Sequence, residues 1–500
     1  MATLMATAAE TVRLAAQDST AANVVGPAKS VRKDCAPPAT LTGLLVILLV
    51  GLLVRALLWS WFAGIEIHDD ERDYDALAVS LALDNCYRLQ GQTTSIRPPL
   101  YPFAVSLVYR VVGVDEPTDL ARARHIVRAL QAVLSLATVC VVYRLGIDLF
   151  DGRVGLWAAA IICFYPSLMA YNNLILTEVL FTFWLTLAVW LAVKYLKCGD
   201  WRWAPATGAV IGLGSLARSA LWMFPPVLGL FWLVLGPGGL RSRLAGPVLM
   251  IGSFAVVIGP WAVRNTRLES TFITIDSMGG RNIMMGNYEY TPLWRAWDAI
   301  SIGGEQAWYR VLARRYENFR DLTQGQRDKL AMREGVRFVL ANPGLTARRD
   351  AVKFFNFWQL EREVVAAAGR GLFGDLPTVV VLLITLLVFG SYALLLVGAI
   401  IGAIAAPPSD WRAHLMCALV IAFLCALHTV VFAHSRYHLP LVPILACYAA
   451  QALVARREIW ARRRRRLWVA VVVVGVFVAG WLFEIAYVDF DKFAEILRST

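Results

Sequence analysis

Asp69, Asp70 and Glu71 stand in a row just after the first long apolar run of the chain, residues 41–63. Three adjacent carboxylates repel one another and contribute nothing to membrane insertion. They are best explained if one of them holds a proton, a cation or a sugar hydroxyl. Arg72, Asp73, Tyr74 and Asp75 follow directly. A helix beginning at Asp70 sets Asp70, Tyr74, Leu77 and Leu81 on one face. Asp69 or Asp70 suits its cap, where acids also favour the helix dipole. A cap uses one acid and leaves the others unexplained. The chemistry that fits them is general-base catalysis, in which a carboxylate takes the proton of a hydroxyl as that hydroxyl attacks.

Four further groups could work with such a base. Arg97 precedes Pro98-Pro99, so a stiff segment fixes its guanidinium, whose fork matches a phosphate; a lipid-headgroup anchor is the alternative. Glu178, after Thr177, opens a later apolar run, either as a cap or as an inward-facing site acid. His434, Arg436 and His438 crowd one short turn, where their charge calls for an anionic partner. A belt of snorkelling residues is the other reading of that turn. Arg264 leaves an apolar run after Trp261, and Gly279-Gly280 and Gly286-Asn287 beyond it read as tight turns.

The elements that must hold these groups are membrane helices. Of 500 residues 58% are hydrophobic and only 17% charged, with a mean hydropathy of +0.58; soluble domains carry about 25% charge. About eleven apolar stretches suit spans: 41–63, 124–149, 153–171, 176–196, 202–217, 219–236, 245–263, 376–400, 411–433, 438–455 and 468–486. The net charge of +12 does not point to nucleic acid, because much of it lies in Arg456, Arg457 and Arg462 to Arg466, between two apolar runs. Such runs stay on the cytoplasmic side. With the N-terminus inside and the C-terminus outside, that block falls inside and the carboxylates fall outside. Pro99 to Gly113 is too short to span and reads as a helix along the outer surface.

This gives an all-α polytopic protein in four parts: a disordered cytoplasmic tail at 1–40, a membrane module at 41–263 with an outer loop at 64–123, an outer loop domain of mixed character at 264–375, and a second membrane module at 376–500. Helices are expected near 305–318 and 326–341 in the loop domain. The eight cysteines lie mainly in apolar runs and show no ligand spacing, so neither a disulfide framework nor a zinc site is expected. Asp69, Asp70 and Glu71 could bind Mg²⁺ or Mn²⁺, but no convincing cage surrounds them, and no metal or cofactor is assigned.

Taken in order, Asp70-Glu71 three before a Tyr, Arg97-Pro98-Pro99-Leu100, Thr177-Glu178, Trp261-Ala262-Val263-Arg264-Asn265, Ala341-Asn342-Pro343-Gly344 and Ser435-Arg436-Tyr437-His438-Leu439-Pro440 resemble the GT-C class of integral-membrane glycosyltransferases. The bacterial members similar to protein mannosyltransferases and to lipid A aminoarabinose or galacturonate transferases are the nearest, over about 41–455. The resemblance implies a polyprenyl-phosphate sugar donor, an outward-facing site in an inner (plasma) membrane, inversion at the anomeric carbon, and a glycan, lipid or protein acceptor. It implies that Asp70 is the catalytic acid with Glu71 its partner, that Arg97 binds the donor phosphate and that Glu178 shapes the pocket. Tyr74, Arg264, His434 and Arg436 complete the expected substrate contacts. The aminoarabinose transferases carry a basic residue where this chain has Asp73, and Arg72 is expected to replace it. Asp69 leaves the register of the catalytic acid open by one residue. The absence of a Gly-rich phosphate loop agrees with a lipid-linked donor. The rival reading is a multi-span exporter or lipid flippase, whose charges would gather at the bilayer midplane.

Overall fold

A computed structural model describes residues 38–62, 65–116, 120–374 and 376–488. The expected tail lies outside the described residues up to residue 37. The described residues are 79% helical. Among the described residues, eight helices are long and apolar enough to cross a membrane: Thr40–Trp61, Ala121–Leu149, Glu178–Cys198, Leu240–Glu269, Thr378–Ala405, Trp411–Val430, Ser435–Val454 and Arg464–Val488.

Eleven spans were expected. Three of those segments hold shorter apolar helices instead: Gly152–Cys163, Trp203–Ala217 and Ser219–Leu235. Their lengths have local causes. Tyr165 precedes Pro166, is excluded from the helical region, and sits extended at φ −73, ψ 117, which divides the apolar stretch in two. The third segment opens with a 3-10 turn at Ser219–Leu221 before Pro225 and Pro226 start its α-helix. A 12-residue helix rises about 18 Å, well short of a hydrocarbon core of about 30 Å.

The long helices carry the marks of lipid contact. Leu45, Leu49, Leu53 and Leu57, one per turn of the first helix, are all exposed. Arg55 of the same helix is buried and turns inward, donating to Ser135 Oγ (2.7 Å) and the Cys163 carbonyl (3.0 Å). Elsewhere small residues allow close approach. A Cβ on Gly208 would lie 1.9 Å from the Met250 carbonyl of the facing helix.

The segment after the first long helix holds two helices, Asp70–Asp84 and Leu100–Val112, as its pattern indicates. Between them lies a hairpin absent from the sequence reading. Arg88–Leu89 pairs with Gln92–Thr93 around Gln90 (φ 51) and Gly91 (φ 78), the two left-handed positions that a two-residue turn requires. The hairpin sets the direction of the Thr94–Arg97 segment.

The segment expected to form a loop domain holds helices Gly279–Gly286, Trp308–Arg315, Gln324–Ala341 and Pro343–Phe357. Helix Gln324–Ala341 starts with a capping box at Thr323 and Gln326. Gly279-Gly280 and Gly286 belong to the first of these helices, so they are not the open turns the sequence suggests. Their size matters for packing: a Cβ on Gly286 would meet the Val431 carbonyl at 1.8 Å. Next to this contact, Asn287 Nδ2 donates to the Val430 carbonyl (2.9 Å), and the buried Lys353 Nζ donates to Asn287 Oδ1 (2.9 Å). Gly286, Asn287 and Lys353 therefore grip the chain just before His434. Gly286→Ala is expected to cost about 1–3 kcal/mol by overpacking, read as earlier thermal unfolding of the detergent-solubilised protein. An unchanged transition would mean that this contact is slack.

Candidate active site

Glu71 and Asp75 fix the helix that carries the carboxylates. Asp75 is buried; its Oδ1 accepts from the Tyr109 hydroxyl (2.5 Å) and its Oδ2 from Arg124 Nη2 (2.6 Å). That fastens Asp70–Asp84 to both following helices. Glu71 is buried and faces the other way, accepting from the backbone N–H groups of Ile175 (2.6 Å) and His68 (3.2 Å). It thereby ties the helix to the turn that leads into Glu178. Burial raises the Glu71 carboxyl above its ordinary range, against the pull of those N–H groups.

Asp70 points away from Glu71. Its Oδ1 accepts from Arg97 Nη2 (2.7 Å) and its Oδ2 from Arg436 Nη1 (3.1 Å). Burial alone would raise this carboxyl, but Arg436 and Arg97 outweigh it and hold the group at about 2. Arg97 reaches back to Asp73 Oδ2 (2.8 Å) with its guanidinium beside the Tyr74 ring, 5.2 Å from its centroid. Asp73 therefore orients Arg97. Arg436 also donates from Nε to Glu178 Oε1, which accepts from Arg218 Nη1 at 3.0 Å. The result is one alternating chain of charge: Asp73, Arg97, Asp70, Arg436, Glu178, Arg218.

The turn of Arg436 is itself braced. His434 Nδ1 accepts from the Arg436 N–H (3.2 Å), which leaves the proton on Nε2, facing Glu363 Oε1 at 3.4 Å. Burial, with Arg436 adjacent, holds His434 down at about 3, so its ring is neutral. Both ring nitrogens of buried His438 meet oxygen: the Phe357 carbonyl (2.6 Å) and Glu361 Oε1 (3.1 Å). The anionic partners that this turn calls for are thus resident carboxylates.

Asp69 takes the N-cap position, yet its side chain makes no capping bond. Its backbone sits at φ 43, ψ −119, which costs a non-glycine residue about 1–3 kcal/mol and is typical of functional sites. Asp69 is exposed and lines a cavity of about 660 Å³ together with Asp70, Arg436, Glu363 and Arg370. Two expected contacts lie elsewhere. Arg264 donates to the Thr94 carbonyl and to Asn265 Oδ1, both at 2.7 Å, beneath the segment leading to Arg97. Arg72 is exposed and directed at the Ile67 carbonyl (3.4 Å), while the place beside Arg97 is taken by Asp73.

The sequence reading missed Arg218, Glu363 and Asp276. Arg218 was legible, as a lone charge in the gap between two apolar runs. Asp276 accepts from Ser219 and from the Met278 N–H, and burial raises it to about 7; nothing in its sequence neighbourhood gives that away.

Two guanidiniums on one carboxylate, at the rim of a cavity, form an arrangement that a phosphate monoanion can enter by exchange. Residues 96–263 match the Dolichyl-phosphate-mannose-protein mannosyltransferase family. The matched stretch holds Arg97, Glu178 and Arg218; Asp70 and Arg436 lie to either side of it. It bears out the resemblance to GT-C glycosyltransferases drawn from the ordered motifs.

Among solved structures, the chain is similar to the oligosaccharyltransferase AglB from Archaeoglobus fulgidus in complex with an inhibitory peptide and a dolichol-phosphate. Identity is 13% and the TM-score 0.49, over 89% of this chain and 55% of that one. It is also similar to ArnT from Cupriavidus metallidurans bound to undecaprenyl phosphate, at 13% identity and a TM-score of 0.37, over 85% of this chain and 80% of that one. The chain thus spans about half the length of the oligosaccharyltransferase. No curated protein matches it.

Proposed function

We propose that the chain is an inverting glycosyltransferase that moves a sugar from polyprenyl phosphate to an acceptor hydroxyl on the outer face of the inner membrane. The observation that carries this reading is the pairing of both Asp70 oxygens with Arg97 and Arg436 at the edge of the cavity. The donor phosphate engages the two arginines and releases Asp70. Asp70 takes the acceptor proton while the hydroxyl oxygen bonds to the anomeric carbon. The bond from that carbon to the phosphate oxygen breaks, and its electron pair leaves with polyprenyl phosphate. Arg97 and Arg436 stabilise the charge that develops there, and proton removal by Asp70 contributes about 10²–10⁴-fold.

Asp73 orients Arg97, and Glu178 with Arg218 orients Arg436. Glu71 sets the angle of the Asp70 helix as a positioning residue. A second cleft, of about 740 Å³, is lined by Trp294, Phe355, Trp358, Phe477 and Trp481 and suits the hydrocarbon tail. Trp358 stacks on His438, two residues from Arg436. With all eleven apolar segments crossing, the short ones included, the arginines at 456–466 favour the orientation in which Asp70 faces outward. The acceptor is a glycan, a lipid or a protein.

The test compares envelope glycolipids and glycans by mass spectrometry in cells lacking the protein. These are complemented with wild type, Asp69→Asn or Asp70→Asn. A one-sugar mass increment restored by wild type and Asp69→Asn, and not by Asp70→Asn, is the expected outcome. Full restoration by both variants at normal expression would return the exporter reading to the front.

A further inference from the structure

The cavity beside Asp70 is walled by residues from 65–71, 170–176 and 363–373 together with Arg436. It opens to solvent, which its about 660 Å³ of empty space includes. The charge on its walls is unequal. Arg436 is committed to Asp70 and Glu178. That leaves Arg370 to face Glu66, Asp69 and Glu363, all of which line the same space. Glu363 stands out among them because His434, the neighbour of the Arg436 turn, contacts its Oε1. Its carboxyl is half-buried and raised by that burial.

We infer that this cavity receives the transferred sugar, that its acidic wall selects a sugar without a carboxylate, and that Glu363 is the residue that sets this selectivity. The inference rests on the transferase reading of Asp70, Arg97 and Arg436. Carboxylates accept hydrogen bonds from sugar hydroxyls or from an ammonium group. A uronic acid would bring its own carboxylate against Asp69 and Glu363 in a partly dehydrated space, where like charges discriminate strongly. Rejection of the wrong sugar then comes from repulsion, while the phosphate contacts stay the same for every donor.

The test uses the full-length chain in nanodiscs and a fluorescent undecaprenyl phosphate, displaced in turn by undecaprenyl-phosphate mannose and undecaprenyl-phosphate galacturonate. With wild type, the mannosyl lipid is expected to compete at least roughly tenfold better than the uronate. Glu363→Gln should narrow that gap at least about threefold, and Glu363→Lys should close or reverse it. Glu363→Gln should leave competition by unlabelled undecaprenyl phosphate within about twofold of wild type. Equal or better binding of the uronate to wild type, or a gap that survives both substitutions, overturns the inference. Undecaprenyl phosphate that fails to bind, or that binds Arg97→Ala and Arg436→Ala as well as wild type, overturns the transferase reading and this inference with it. The two failures are therefore told apart by the lipid that carries no sugar.

Discussion

Asp70→Asn is expected to abolish sugar transfer and at the same time to bind polyprenyl phosphate more tightly than wild type. The first half follows from loss of the base, worth about 10²–10⁴-fold in rate. The second half follows from competition. In the free protein both Asp70 oxygens occupy the guanidiniums that a phosphate needs. Removing that negative charge lifts both the competition and the repulsion, and a gain of roughly tenfold in affinity is reasonable for one charge at short range. Titration of nanodiscs with undecaprenyl phosphate measures it. Weaker or equal binding by Asp70→Asn would show that the phosphate does not use these arginines.

The pH dependence has a definite sign. Asp70 sits at about 2, against an ordinary 3.8. Its pairing stabilises the folded site above the ordinary value, and that contribution is lost as pH falls from about 4 through 2. The amide of Asp70→Asn has no such loss.

Arg436→Ala should do the most structural damage of any single change at the site. Glu178 is 1% exposed and already has Oε2 without a hydrogen-bond partner. Truncating Arg436 leaves it with Arg218 alone and strips one side of Asp70. Breaking a buried pair in this way costs about 3–5 kcal/mol, and loss of one donor to the leaving phosphate adds about 10²–10³-fold in rate. Arg436→Lys is expected to recover folding only in part and transfer hardly at all, because one ammonium cannot serve Asp70 and Glu178 together as the two edges of a guanidinium do. Thermal unfolding and donor titration on both variants check this. A lysine variant with wild-type transfer would mean that only the charge matters.

Much of this arrangement was legible in the sequence. Asp70, Arg97, Glu178 and Arg436 stand out because charge near a bilayer is expensive and must be answered, and the structure brings these four into one chain of ion pairs. The helix from Asp70 and the one from Leu100 follow from apolar spacing and from Pro98-Pro99. Other features were illegible for physical reasons. The shortness of three expected spans was hidden because Pro166 divides one apolar run and a 3-10 turn opens another, breaks that composition alone does not show. The Gln90-Gly91 turn lacks the Asn-Gly or Asp-Gly signature of such hairpins. Asp73 looks like one more surface acid until Arg97, far along the chain, is folded against it. The bond from Arg264 to the Thr94 carbonyl joins residues 170 positions apart and could not be read beforehand. In each case a partner distant in sequence decides the role.

The pair of Asp70 with Arg436 joins residues 366 positions apart. This has a consequence for biosynthesis. A chain emerging from the ribosome inserts Asp70, Glu178 and Arg218 long before Arg436 exists, so the centre of the site stays electrostatically incomplete through most of translation. A product truncated before residue 435 keeps most of the helices but leaves Glu178 half-answered inside them, a mark that membrane quality control can recognise. Until the final helices are made, the Asp70 and Glu178 carboxylates lack the arginine they share.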